Sequence, residues 1–183
     1  MAPPTFLGPQ GIRMDIPRVR KYIDWNPFFA LWQLHGKYPN RGYPKIFNDE
    51  RVGGEAKKLF EDANKLIDTC AAELCIKAAV AFYPAASRGD DIVMFKDESR
   101  LEEIGIFHAM RQQTGEAPYM ALSDFVAPVG GPNDYIGMFA VTCLGADALA
   151  AKYVADHDDY NSIMIKALAD RLVHIHYRYL LSY

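Results

Sequence analysis

Between Gly54 and Leu74 the apolar residues Ala56, Leu59, Phe60, Ala63, Leu66, Ile67 and Cys70 recur every three or four positions. That spacing puts them on one face of an amphipathic helix. Ile76–Tyr83 is instead a short continuous apolar run that stops at Pro84, the pattern of a largely buried strand. Gly89-Asp90-Asp91 is turn chemistry, and Ile92-Val93-Met94-Phe95 reads as the antiparallel partner of the first strand. A weaker helical pattern covers 104–113. Met120–Ala127 and Tyr135–Thr142 read as two further strands joined by the turn Val129-Gly130-Gly131-Pro132-Asn133-Asp134. Helices are expected over 146–156 and from Asp159 towards the C-terminus. Helices and strands do not alternate as β-α-β units, so the pattern predicts an α+β fold, helices packed on a twisted antiparallel sheet.

Upstream, Asn26-Pro27 supplies an N-cap and a first-turn proline for the aromatic segment Phe28-Phe29-Ala30-Leu31-Trp32. Gly36 and Pro39 end that helix, and the punctuation over 37–50 predicts an ordered loop. Pro3, Pro4, Pro9 and Pro17 forbid a continuous helix, so residues 1–22 read as a linker or arm.

Composition changes this picture little. A chain of 183 residues with 50% hydrophobic and 23% charged residues is globular in class and of a size for one domain. A net charge of −3 gives no basic field for nucleic acid or an anionic membrane. Three cysteines do not make a disulfide framework. The apolar runs near 78–86 and 136–146 fall short of the ~20 residues of a membrane span. The N-terminus lacks the charged-then-apolar pattern of a signal peptide, which points to a cytoplasmic protein.

Chemistry-bearing residues are few. His157-Asp158-Asp159-Tyr160 is dense in metal-ligand types, but Asp158 or Asp159 at that place suits a helix cap better. His174 and His176 on a helix point about 200° apart and cannot share a metal. Cys70, Cys75 and Cys143 read as inert thiols, and Gly53-Gly54-Glu55 lacks the Lys-Ser/Thr of a phosphate loop. Asp90, Asp91, Asp97 and Glu98 fall in turns, where carboxylates are solvated. Asp124, amid apolar neighbours, calls for hydrogen-bond partners in an adjoining loop. Asp24 stands immediately before the aromatic helix. It suits a helix cap, and it also suits an anion in an aromatic-walled cleft that would take a cationic or hydroxyl-rich ligand. No nucleophile–base pair or metal constellation is visible, so no catalytic residue and no metal ligand is assigned.

Several stretches, in order, resemble the activation domain of cobalamin-dependent methionine synthase. They are Phe6-Leu7-Gly8, Tyr22-Ile23-Asp24-Trp25-Asn26-Pro27-Phe28-Phe29, Gly36-Lys37-Tyr38-Pro39 and Val52-Gly53-Gly54-Glu55-Ala56. Phe82-Tyr83-Pro84-Ala85, Gly89-Asp90-Asp91-Ile92, Leu122-Ser123-Asp124-Phe125 and Asp134-Tyr135-Ile136-Gly137 follow. The run from Asp158 to Leu172 completes the match.

The resemblance implies an α+β domain with a twisted antiparallel sheet. The family's enzyme passes a methyl group from methyltetrahydrofolate to homocysteine through cobalamin. When the cobalamin is oxidised, this domain presents S-adenosylmethionine for reductive methylation, with an electron from a flavoprotein reductase. Asp24 matches the aspartate the family uses to bind S-adenosylmethionine. The family's remaining ligand-binding residues lie in a later Arg-Pro-Ala-Pro-Gly-Tyr-Pro segment and a C-terminal strand, neither present here. The resemblance therefore implies a truncated activation domain over 23–172, with a divergent tail over 173–183. The cobalamin, folate and zinc sites belong to other parts of the parent enzyme. The rival expectation is a non-catalytic fragment serving structure or partner contact.

Overall fold

The computed structural model describes residues 3–174. Within them, residues up to 12 together with 79–140 form one compact unit, and residues 13–78 together with those from 141 onward form a second. Strand β1 is Gly8–Met14, β2 Cys75–Arg88, β3 Asp91–Phe95, β4 Glu103–His108 and β5 Asp134–Leu144. Helix α1 is Ile16–Val19, α2 Trp25–Leu31, α3 Gly53–Cys70, α4 Ala146–Ala155 and α5 Asp159–His174. The strands form one sheet in the order β1-β2-β3-β4, and β5 also pairs with β2.

In the first unit β2 and β3 make the antiparallel hairpin that the sequence pattern predicts, with Ala85 opposite Met94 and Arg88 opposite Asp91. Pro84 does not end β2; it lies buried within the strand at the loss of one ladder hydrogen bond. Ile92 and Val93 face opposite ways and are 3% and 0% exposed, so β3 is covered on both sides.

Three expectations fail here. The segment expected as a helix over 104–113 contains β4, which pairs antiparallel with β3, Phe107 against Ile92 and Ile106 against Val93. Its Ile and Phe residues fit a pleated surface, and β3 offers an edge that satisfies their backbone groups. The strand expected over 120–127 is a 3-10 turn, Leu122–Phe125, because the Asp124 carboxylate takes the Ala121 N–H and closes the backbone locally. Residues 8–22, read as part of an arm, form β1, α1 and the 3-10 turn Arg20–Tyr22. Their prolines fall where they are tolerated, Pro17 in the first turn of α1, and Met14, Ile16 and Val19 are buried.

The second unit is built on α3, whose predicted apolar face is the buried one: Ala56, Leu59, Ala63, Leu66, Ile67 and Cys70. Helices α2 and α3 both pack against α5, and α4 packs on α5. Phe28, Phe29, Met164, Ile165, Leu168 and Leu172 complete this core. The tail boundary expected after Leu172 falls inside α5, and residues 175–183, with His176, lie outside the described residues.

Gly145 opens α4 at φ +95°, and a Cβ there would stand 2.1 Å from the Glu73 carbonyl oxygen. Gly145→Ala therefore carries a left-handed-backbone strain of roughly 1–3 kcal/mol in addition to the clash. Gly54, with nothing within 4 Å of its Cβ position, is the control. Thermal unfolding should show Gly145→Ala melting several degrees lower (about 2–4 °C per kcal/mol). Gly54→Ala should melt at or slightly above the parent temperature. Equal melting of the two variants would refute the assignment.

Candidate functional site

Asp24 has extended backbone (φ −82°, ψ 107°) and caps α2, which starts at Trp25 rather than at Pro27. Its Oδ1 accepts the Asn26 backbone N–H at 3.0 Å and the Asn26 Nδ2–H at 3.0 Å. Among the described residues Oδ2 has no partner, and Asp24 is exposed. The capping role and an outward-facing acceptor coexist because they use different oxygens.

Trp25, the first residue of α2 after Asp24, belongs to an aromatic cluster. Trp25 meets Phe28 edge-on at 5.4 Å and Phe60 at 4.7 Å. Tyr43 stacks on Phe60 at 5.6 Å, and Phe47 completes the cluster against both. Such edge and offset contacts are the favoured geometries of ring quadrupoles, and the Tyr43 ring is partly exposed.

The ordered loop expected over 37–50 is present, with its own 3-10 turn at Lys45–Asn48. Buried Asp49 ties its base. Its carboxylate accepts the backbone N–H groups of Lys37, Arg51 and Val52, which hold its pKa below the usual carboxylate range. Nearer Asp24, Asn26 Oδ1 accepts the Tyr43 N–H at 2.7 Å and fixes the loop to the start of α2. A cleft of about 520 Å³ opens beside Asn26, lined also by Phe29, His35, Tyr38 and Arg41. A second cleft of about 410 Å³ is lined by Trp32, Glu55, Lys58, Leu59, Asp62 and Tyr160. There the Tyr160 hydroxyl donates to Asp62, and burial, then that carboxylate, pushes the phenol up to about 12.

The other sequence candidates have structural duties. Asp158 caps α5 by accepting the Asn161 N–H and side-chain N–H, which lower its pKa. His174 sits 3.5 Å from Asp170 on the same helix. Among the described residues no group of three His, Cys, Asp or Glu is placed to hold a metal ion. Cys70 is buried with its Sγ 3.6 Å from the Tyr153 hydroxyl, Cys75 begins β2, and burial pushes the Cys143 thiol up to about 11. A thiol so raised is a poor nucleophile. Gly53 is a packing residue, its Cβ position 2.6 Å from the Phe47 carbonyl oxygen.

Asp124 finds the partner its sequence setting called for. Arg111 forks onto its two oxygens at 2.7 and 2.8 Å, reaches Asp90 at 2.7 Å and donates to the Tyr119 carbonyl. Arg111 carried no sequence signal, because its partners lie in three separate segments. The Arg111 hydrogen bonds, then the Ala121 N–H, lower the Asp124 pKa to about 2. Its folded value lies below the unfolded one of about 3.9. The ion pair thus stabilises above about pH 4 and is lost as pH falls towards 2. Arg111→Ala should flatten that part of a stability-versus-pH curve, and an unaltered acid limb would show that the pair is idle.

Compared with known proteins, the sequence matches over residues 15–180 the family described as vitamin B12 dependent methionine synthase, activation domain. The chain belongs to this family. A solved structure described as the MetH reactivation domain bound to AdoHcy is 47% identical, with a TM-score of 0.88 over 96% of this chain and 55% of that one. The present chain thus spans about half the length of that relative. The mixed helices and curled antiparallel sheet of this activation domain are the fold of that relative, as the resemblance implied.

Proposed function

We propose that this activation domain holds S-adenosylmethionine with Asp24 and presents it for reductive methylation of oxidised cobalamin carried elsewhere in methionine synthase. The observation that carries this reading is the exposed Asp24 carboxylate, with one oxygen tied by Asn26 and the other without a partner among the described residues, next in the chain to Trp25 of the aromatic cluster. The related reactivation domain is described as bound to AdoHcy, the demethylated counterpart of that ligand. Such a carboxylate suits a cationic ammonium, and exposed aromatic surface beside it attracts a sulfonium. Asp24 thus anchors and orients the ligand, and the bound S-adenosylmethionine supplies the methyl group. The electron would come from a flavoprotein reductase, the methyl acceptor would be the cobalamin held by the cobalamin-binding domain of the parent enzyme, and S-adenosylhomocysteine would be the leaving group. Among the described residues no helix is long and apolar enough to cross a membrane.

Labelled S-adenosylmethionine should be retained in equilibrium dialysis by a protein that joins this chain to the second half of the domain. The 183-residue chain alone should retain far less. One charge-assisted hydrogen bond worth about 1.5–3 kcal/mol does not offset the roughly 4 kcal/mol or more lost on association. A joined protein without binding would overturn the proposal.

A second reading, a partner-contact module without its own ligand, draws on the first unit. Ile104, Ile106 and Phe107 on edge strand β4 are at least 40% exposed, as are Leu122 and Phe125. Apolar surface bared in this way favours contact with another surface. Light scattering on the joined protein that shows a monomer with these residues still protease-accessible would count against it.

A further inference from the structure

We infer that Asn26 is the positioning residue of the ligand carboxylate, fixing one oxygen of Asp24 so that the other is presented outward; this rests on the proposed role of Asp24. The amide of Asn26 has no rotational ambiguity. Its Oδ1 faces the Tyr43 N–H at 2.7 Å, which can only donate, and its Nδ2 faces the Asp24 carboxylate at 3.0 Å, which only accepts. Exchanging the two ends would set donor against donor and acceptor against acceptor. The amide is therefore a directional link from the loop through Asn26 to Asp24.

The link has little slack. A Cβ on Gly42 would stand 3.0 Å from Asn26 Oδ1, so the loop backbone passes close to the amide. The Tyr43 ring is stacked on Phe60, which anchors the far end of the link in the aromatic cluster. With backbone and side-chain N–H groups of one residue on the same oxygen, the Asp24 carboxylate cannot rotate without losing both bonds. Its Oδ2 is then held in one direction before a ligand arrives. Preorganisation of this kind raises affinity by removing an ordering cost from binding.

Asn26→Ala removes the link, and Asn26→Asp separates its two halves. The aspartate is isosteric and still accepts the Tyr43 N–H, so the loop stays tethered. Toward Asp24 it replaces a donor by an acceptor and sets two carboxylates together. One of such a pair has its pKa raised, and a shared proton restores the hydrogen bond.

The test is titration calorimetry with S-adenosylmethionine on a protein carrying this chain within the complete activation domain, at pH 7.5 and 5.5. Asn26→Ala should weaken binding about 10-fold. In an Asp24→Ala background it should cost almost nothing more, because its effect passes through Asp24. Asn26→Asp should be weaker still at pH 7.5 and recover at pH 5.5 relative to the parent. His35 and Arg41 line the cleft beside Asn26, so the variant is compared with the parent as a ratio at each pH.

Circular dichroism melting keeps the test open if Asn26→Ala loosens the fold, since Asn26→Asp retains the tether. Losses that add in full to Asp24→Ala, or no pH recovery in Asn26→Asp, would overturn the positioning role. Parent-like binding by Asp24→Ala would instead overturn the reading of Asp24 itself.

Discussion

Asp24→Ala should weaken S-adenosylmethionine binding by the complete domain about 10- to 150-fold, the equivalent of one charge-assisted hydrogen bond of 1.5–3 kcal/mol. It should also lower stability by about 1 kcal/mol, because Asp24 caps α2 through its Oδ1 and alanine cannot accept the Asn26 N–H. Asp24→Asn separates the two effects. Asparagine caps a helix as well as aspartate does, so melting should stay near the parent value. Its neutral amide offers no anion to an ammonium group, so affinity should still fall. Calorimetric titration and thermal melting on the same preparations give both numbers. If Asp24→Asn binds like the parent, Asp24 does not carry the ligand's positive charge.

Phe28→Ala should have the largest effect on the fold, lowering unfolding free energy by about 3–5 kcal/mol. The side chain is 1% exposed, edge-on to Trp25 at 5.4 Å and to Phe29 at 6.0 Å, so deletion leaves a cavity among rigid rings. At about 2–4 °C per kcal/mol the melting temperature should drop by roughly 6–20 °C. Trp25 would lose its edge partner one residue from Asp24, so ligand binding should weaken even well below the melting temperature. Phe28→Leu, which refills part of the space, should recover much of both losses. A drop below about 1 kcal/mol for Phe28→Ala would mean that the surroundings collapse around the gap and that Phe28 does not hold the aromatic cluster in place.

How legible each element was in the sequence follows from where its stabilising contacts lie. Helix α3 was legible because its seven apolar positions are local and periodic, and six of them are buried as predicted while Phe60 joins the aromatic cluster. The β2–β3 hairpin was legible from the Gly89-Asp90 turn between two apolar runs. Strand β4 was not, because Ile104, Ile106, Phe107 and Met110 fit either period, and only the edge of β3 decides between them. Pro9 and Pro17 correctly forbade a long helix but said nothing against a strand and one helical turn, which is what β1 and α1 are.

At the candidate site, residue chemistry left Asp24 open between a helix cap and an anion in an aromatic-walled cleft, and the resemblance read it as the S-adenosylmethionine anchor. The cap is present, and it leaves the second oxygen for the proposed role. Asn26 was read as the cap itself. Its link to Tyr43 spans 17 residues and depends on a loop conformation no local pattern encodes. Arg111 was equally silent, for the same reason.

Arg111 also determines what a single cut in the chain would do. Residues 112–120 are exposed and carry Gly115 at φ +99°, the sort of tip that proteases reach first. Upstream of that tip stands the guanidinium; downstream stand the Tyr119 carbonyl and the two oxygens of Asp124 that it grips. A protease acting at the tip would therefore leave a nicked but undivided unit, its new ends clasped across the break, running as two bands only after denaturation.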